Sequence, residues 1–203
     1  MNIEIRKLTP DLAEDYARFF DVNGHYPDDA SKKCYCVWSC NDVQNRVFIK
    51  RHLSSPEQKR EYAIQKIKSN SLQGYLAYCD GKVVGWCNAN TKADCLKCYN
   101  RPEFAGSVAK KELKTGIRIK SVFCFVVASE MRRQGISKLL LERVCQDAAQ
   151  DGFDFVEAYP RKEFLSEFRD YMGPAELFKQ SGFVICAETE ERFIMRKKIG
   201  ENP

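Results

Sequence analysis

Apolar and polar positions along the chain follow two periods, two for strands and about 3.6 for helices. The clearest passage is Ile119 to Ala149, IKSVFCFVVASEMRRQGISKLLLERVCQDAA. It reads as a buried strand, a basic Gly-containing turn and an amphipathic helix. In that helix Ile136, Leu139, Leu140, Val144 and Ala148 recur at helical spacing and predict the face packed on a sheet. Lys138, Glu142 and Asp147 are expected outside.

Upstream, Asn2 to Leu8 alternates and predicts an opening strand. Thr9-Pro10-Asp11 then starts a helix, with Thr9 as N-cap, and Leu12, Tyr16 and Phe19 or Phe20 form its stripe until Asn23-Gly24. Ser55-Pro56-Glu57 opens a second helix to about Ser69, with Tyr62, Ile64 and Ile67 as buried positions. Gly74 to Cys79 and Lys82 to Asn88, joined by Asp80-Gly81, predict a hairpin. After the central unit come a strand from Phe153 to Tyr159 and a helix from Gly173-Pro174 to Gly182. Two strands follow, Phe183 to Ala187 and Arg192 to Lys197. The segments His25 to Phe48 and Thr91 to Gly116 show little periodicity. This order predicts an α/β fold in one domain over residues 1–203, with a mixed sheet and no internal repeat.

Composition narrows the class. Of 203 residues, 44% are hydrophobic and 30% charged, a soluble globular balance. The net charge of +5 falls short of a nucleic-acid footprint, and no apolar run has the length of a membrane span. The N-terminus lacks a signal-peptide core, which points to the cytoplasm. Ten cysteines are then expected as reduced thiols rather than a disulfide framework.

The turn has two readings. In one, successive N–H groups from Arg132 to Ser137 converge on phosphate oxygens, with Arg132 and Arg133 adding charge and Gly135 allowing close approach. In the other it is a basic solvated turn entering an ordinary helix. It is neither a P-loop nor a dinucleotide-binding glycine pattern.

Val127 to Ser137, VASEMRRQGIS, resembles the acetyl-CoA-binding motif of the GNAT acetyltransferases, Arg/Gln-x-x-Gly-x-Gly/Ala. Arg132 and Gly135 match, while Ser137 stands where Gly or Ala is usual. The resemblance extends over most of the chain, through the Asp80-Gly81 hairpin and the late Leu177-Phe178-x-x-x-Gly182-Phe183. Cys34-x-Cys36, Cys124-Phe125 and Glu157-Ala158-Tyr159-Pro160 resemble a little-characterised Cys-rich branch of that family. The resemblance implies a single GNAT-like domain, with a mostly antiparallel sheet flanked by helices. It also implies an N-acetyltransferase in which a primary amine of a small molecule or peptide attacks acetyl-CoA directly.

By the same resemblance Phe125, Val126 and Val127 line the pantetheine arm. An N–H of Val126 or Val127 polarises the thioester carbonyl. Arg132, Arg133, Gln134, Gly135, Ile136, Ser137 and Lys138 hold the pyrophosphate. Many relatives pair, so a homodimer is compatible. The family's usual acid is a Tyr at the position of Phe178, which cannot donate a proton. Glu157 and Tyr159 share one strand face and are the candidate base and acid; the competing reading is a structural carboxylate and a core aromatic. Tyr171 is a further donor, and Ser121 replaces a Glu base of some members. His25 and His52 are expected on surface loops.

Two alternatives stay open. A non-catalytic acyl-CoA-sensing module would explain the missing Tyr. A metal-thiolate module would use Cys34, Cys36, Cys40, Cys95 and Cys98, but its spacing is irregular and no matching His is near, so zinc is disfavoured and no metal ligand is assigned. Cys79, Cys87, Cys124, Cys145 and Cys186 read as small buried hydrophobes.

Overall fold

The computed structural model describes residues 2–24, 33–40, 46–96, 115–166 and 169–199. Seven strands form one sheet. They are β1 (Ile3–Lys7), β2 (Gly74–Cys79), β3 (Lys82–Thr91), β4 (Ile119–Val127), β5 (Phe155–Ala158), β6 (Val184–Glu188) and β7 (Phe193–Lys198). Their order is β1-β2-β3-β4-β5-β7-β6, and β4–β5 is the parallel pair in an otherwise antiparallel sheet. Among the described residues the helices are α1 (Ala13–Val22), α2 (Arg46–His52), α3 (Pro56–Lys68), α4 (Ile136–Gln150) and α5 (Ala175–Gln180).

The mixed α/β sheet with flanking helices is as expected. Asp80 and Gly81 both take positive φ (48° and 76°), the conformation that a two-residue hairpin turn requires. Ser55 and Gln58 form a reciprocal capping box at α3. The first helix begins differently from the reading above. Pro10–Leu12 is a 3₁₀ turn, and Thr9 makes no side-chain cap. His52 closes α2 and is not in a loop. His25, Cys98 and most of the Thr91 to Gly116 segment lie outside the described residues.

On one sheet face, α1 buries Tyr16, Phe19 and Phe20 against Trp86. The Tyr16 ring meets Trp86 edge-on at 4.8 Å, and its hydroxyl donates to Tyr35 O at 2.7 Å. The phenol thus buries its apolar body without orphaning its polar end. On the other face, α4 packs Ile136, Leu140, Leu141, Val144, Cys145 and Ala148. Two expectations fail here. Leu139 is 38% exposed, and Leu141 takes the buried place. Asp147 is buried, because Arg143 Nε grips its carboxylate at 2.6 Å while Arg143 Nη1 donates to Ile5 O of β1. A polar residue is tolerated at the helix–sheet seam when its charge is matched.

Phe123 is an extra residue on β4. Asn88 pairs with Cys124 and Ala89 with Val122, so nothing on β3 opposes Phe123. Such a bulge bends its strand. On the opposite edge, the pairing with β5 ends at Val122 and Ala158. Beyond that point β4 and β5 separate.

Gly74 has a steric reason. A Cβ there would stand 2.2 Å from Cys87 O and 2.3 Å from the Trp86 ring, and neither neighbour is free to move. We expect Gly74→Ala to cost about 3 kcal/mol or more by urea denaturation. Gly81→Ala meets open space and only the positive-φ penalty, about 1–2 kcal/mol. Equal losses would contradict this account.

Candidate functional site

The turn after β4 leaves backbone donors exposed at the entry to α4. A 3₁₀ turn at Ser129–Met131 leads into extended Arg132, then Arg133 (φ 62°) and Gly135 (φ 81°) adopt left-handed backbone. Gly135 is the N-cap of α4 and no side chain caps the helix. Lys138 N and Leu139 N both donate to Gly135 O, which leaves the N–H groups of Ile136 and Ser137 without intrahelical acceptors. The space where a Gly135 side chain would stand is open. The helix N-terminus therefore presents backbone donors and its positive dipole end to that space.

That space belongs to a cleft of about 500 Å³. One wall is Arg132, Arg133, Gly135, Ile136, Ser137 and Lys138. Its floor is Phe125, Val126 and Val127, and Tyr171, Gly173 and Leu177 stand opposite. Of the residues expected to hold a cofactor, only Gln134 is outside this lining; its Nε2 donates to Glu130 O. Arg132 folds back and gives Nε to Val127 O at 3.3 Å, tying the turn to the strand.

Backbone direction separates Val126 from Val127. Ala128 N donates to Val84 O on the β3 side, whereas Phe125 N donates to Tyr171 O at 2.7 Å on the other. Strand N–H groups alternate sides, so Val126 faces β3 and Val127 faces the separation beside β5. Val127 is thus the donor on the cleft edge. The opposite wall, residues 170–180, holds Tyr171, Gly173-Pro174 and Leu177-Phe178, all singled out in the sequence. Gly173 takes φ 88°, and a Cβ there would press at 3.2 Å on Phe125 and Phe178. Asp170 shapes the approach by accepting from Leu165 N and Ser166 N.

Glu157 and Tyr159 do share a face, and the structure joins them. The Tyr159 hydroxyl donates to Glu157 Oε1 at 2.5 Å and lies 2.8 Å from Ser121 Oγ. Glu157 also receives Lys92 Nζ at 2.8 Å and Arg196 Nε. Both residues are 0% exposed, and neither lines the cleft. Burial pushes the Tyr159 phenol well above its usual range, and the Glu157 charge adds to the rise. The phenol stays protonated and the carboxylate is saturated by cations and a hydroxyl. Through these contacts the pair on and beside β5 reaches Ser121 of β4 and Arg196 of β7. Lys92 could not have been linked to them from sequence. Phe178 is wholly buried, with its ring centroid 6.3 Å from that of Phe125 and 5.4 Å from that of Phe183.

The cysteines divide. Cys87, Cys124 and Cys145 are buried as expected, whereas Cys79 is half-buried and Cys186 is exposed on the outer strand β6. Cys36, in left-handed backbone, lies at the end of a polar chain. Gln73 N donates to Asn90 Oδ1, Asn90 Nδ2 to Asn88 Oδ1, and Asn88 Nδ2 to Cys36 Sγ. The Cys124 S–H, together with Asn88 and Ser39, holds the Cys36 thiol below its usual value despite burial. Cys95 Sγ donates to Ser39 O. Among the described residues no three His, Cys, Asp or Glu side chains group as metal ligands. Nor is any helix there long and apolar enough to cross a membrane.

The acetyltransferase (GNAT) family model matches residues 37–163. Solved structures resemble the whole fold. A GNAT-family acetyltransferase from Streptococcus pneumoniae is 18% identical, with 98% of this chain and 100% of that chain covered and a TM-score of 0.54. The PaiA N-acetyltransferase of Thermoplasma acidophilum, in complex with coenzyme A, is 17% identical, with coverage of 98% and 99% and a TM-score of 0.51. The Drosophila melanogaster polyamine N-acetyltransferase, which forms N-acetylagmatine, is 11% identical, with coverage of 98% and 100% and a TM-score of 0.55. No curated protein sequence matches.

Glu157→Gln would remove the buried carboxylate that both Lys92 and Arg196 contact. Glu157→Gln is expected to cost about 3–5 kcal/mol of unfolding free energy in denaturant titration. Native stability in that variant would contradict the structural role.

Proposed function

Because the chain belongs to the GNAT acetyltransferase family, we propose that it transfers an acetyl group from acetyl-CoA to a primary amine of a small molecule or peptide by direct attack. One observation carries this reading. A single cleft joins the uncapped N-terminus of α4 to the outward-facing N–H edge of β4. The spacing suits a ligand with a phosphate head and a long amide-bearing arm. Ile136 N–H and Ser137 N–H, with Arg133 and Lys138, would hold the pyrophosphate. Acetyl-CoA supplies the activated acetyl thioester. Val127 N–H would donate to its carbonyl oxygen as negative charge develops there. The solved coenzyme A complex of the PaiA relative supports the same reading.

Among the expected proton donors, Tyr171 is the one on the cleft wall. We assign it to protonate the departing thiolate. In this reading Glu157 and Tyr159 position the β4–β5 separation and do not touch the reactants. The amine gives its proton to a base or ordered water in the open cleft. The buried Phe178 in place of the family's usual Tyr favours a second reading, a module that binds acyl-CoA without turnover. CoA binding combined with no turnover over a broad amine panel would establish that reading.

Calorimetric titration should show acetyl-CoA and CoA binding, and no heat with either would sink the proposal. Gly135→Asp puts bulk and negative charge into the phosphate space and should weaken CoA by about a hundredfold or more. Tyr171→Phe should lower kcat by about 10²-fold or more with CoA affinity unchanged. A native pH–rate profile in that variant would remove Tyr171 from the reaction.

A further inference from the structure

At the other end of β4 lies a separate cavity of about 420 Å³, in the size range of small-molecule sites. Its walls include Lys7, Gln73, Arg118, Lys120, Asp151 and Phe153. Lys120 is seven residues from Val127, so extended backbone sets the two sites roughly 20 Å apart. Nothing in the acetyl-transfer reading uses this cavity.

Lys120 is the unusual residue. It stands second in the largely apolar strand β4 and is only 5% exposed. Its Nζ donates to the neutral Gln73 Oε1 at 3.0 Å and sits 5.1 Å from the Phe153 ring centroid. No carboxylate lies within ion-pair distance of it among the described residues. Asp151, the acid in the cavity wall, is bonded to Lys7 at 2.9 Å. Arg118 shares the same ring, with its guanidinium 4.7 Å from the centroid, and its Nη1 donates to Gly152 O. That contact uses one donor of five and is to a neutral carbonyl, while the Asp154 carboxylate meets Arg118 at its backbone N–H rather than its guanidinium. Lys7, Arg118 and Lys120 against Asp151 leave the walls with a formal excess of two positive charges. Burial pushes the Lys120 ammonium down and Lys7 pushes it further, against the smaller opposing effects of Asp151 and Asp94. A buried charge is normally matched by a counterion. Here the space beside it is a cavity.

We propose that this cavity binds a small phosphomonoester dianion, held by Lys120 and Arg118, with Lys7 at the mouth. Two negative charges match the excess of the walls. A tetrahedral head offers acceptors to an ammonium and a guanidinium at once. Leu8, Tyr75 and Phe153 provide apolar contact for the organic body. Inorganic phosphate has the same head chemistry without the body, so the test must separate the two.

The test uses the full chain with dephospho-CoA at saturation, which fills the turn at 132–138 with a pyrophosphate and brings no phosphomonoester of its own. Calorimetry and thermal melting are run with glycerol phosphate, inorganic phosphate and glycerol at fixed ionic strength. Glycerol phosphate should bind and raise Tm, and glycerol should not. Tighter binding of the ester than of the free ion assigns the organic body; equal binding assigns a phosphate-ion site. Lys120→Met and Arg118→Gln should each weaken the response by about tenfold or more. No response in the native chain, or an unchanged one in Lys120→Met, overturns the site. Without ligand, Lys120→Met should melt no lower than the native chain, since it removes an unmatched buried charge. A marked loss would make Lys120 a structural group satisfied by Gln73, and would also overturn the site. If CoA fails to bind, the acetyl-CoA reading falls by itself, and the native-minus-Lys120→Met difference still tests this cavity.

Discussion

The extra residue at Phe123 is the constraint on which the site depends. The ladder to β5 stops at Val122, directly before the bulge, so the N–H edge carrying Phe125 and Val127 is not taken by pairing with β5. The freed edge is then partly taken by Tyr171 O, which binds Phe125 N and brings the opposite wall into place. Backbone polar groups must be satisfied somewhere. Here one is spent on building the cleft and the next faces into it.

The separation of two strands is costly unless something holds their roots together. Below it, Glu157 on β5 draws in Lys92, Arg196 of β7 and Tyr159, and Tyr159 in turn meets Ser121 of β4. The Phe123 and Tyr159 rings stack at 5.5 Å beside this network. A buried carboxylate with two cations and a hydroxyl is expensive to desolvate and gains strongly from correct geometry. It ties β5 to β7, and through Tyr159 to Ser121 of β4, just before β4 and β5 part. The reaction proposed above relies on that junction, because Val127 lies on the freed stretch of β4.

Much of the fold was legible because local chemistry and long-range packing agree. Asp80-Gly81 demands a tight hairpin, Ser55 and Gln58 demand a helix start, and Gly135 allows the left-handed entry to α4. Periodicity alone does not decide which side of α4 is covered. Leu139 and Leu141 are chemically alike, and only the sheet decides which is covered. Asp147 looked solvent-facing until Arg143 reached it. The face shared by Glu157 and Tyr159 followed from strand alternation, but their burial did not, since Lys92 arrives from 65 residues away. Val126 and Val127 are both apolar, and the difference between them lies in the backbone. Lys120 was invisible for a related reason, because one lysine near a strand end reads as a solvated terminus.

The amides leading to Cys36 all run in one direction. Gln73, Asn90 and Asn88 each donate toward the sulfur, so the sulfur is the sink of a single oriented chain. Hydrogen bonds arranged in this way polarise one another. A change at Cys36 would therefore not stay local. A modified sulfur that accepts less well would unbalance Asn88, and correcting it by an amide flip would require Asn90 to turn as well. Those asparagines sit on β3, whose partner is β4. Chemical damage to one thiol would thus be read out as a polarity fault along the strand that supports the cleft.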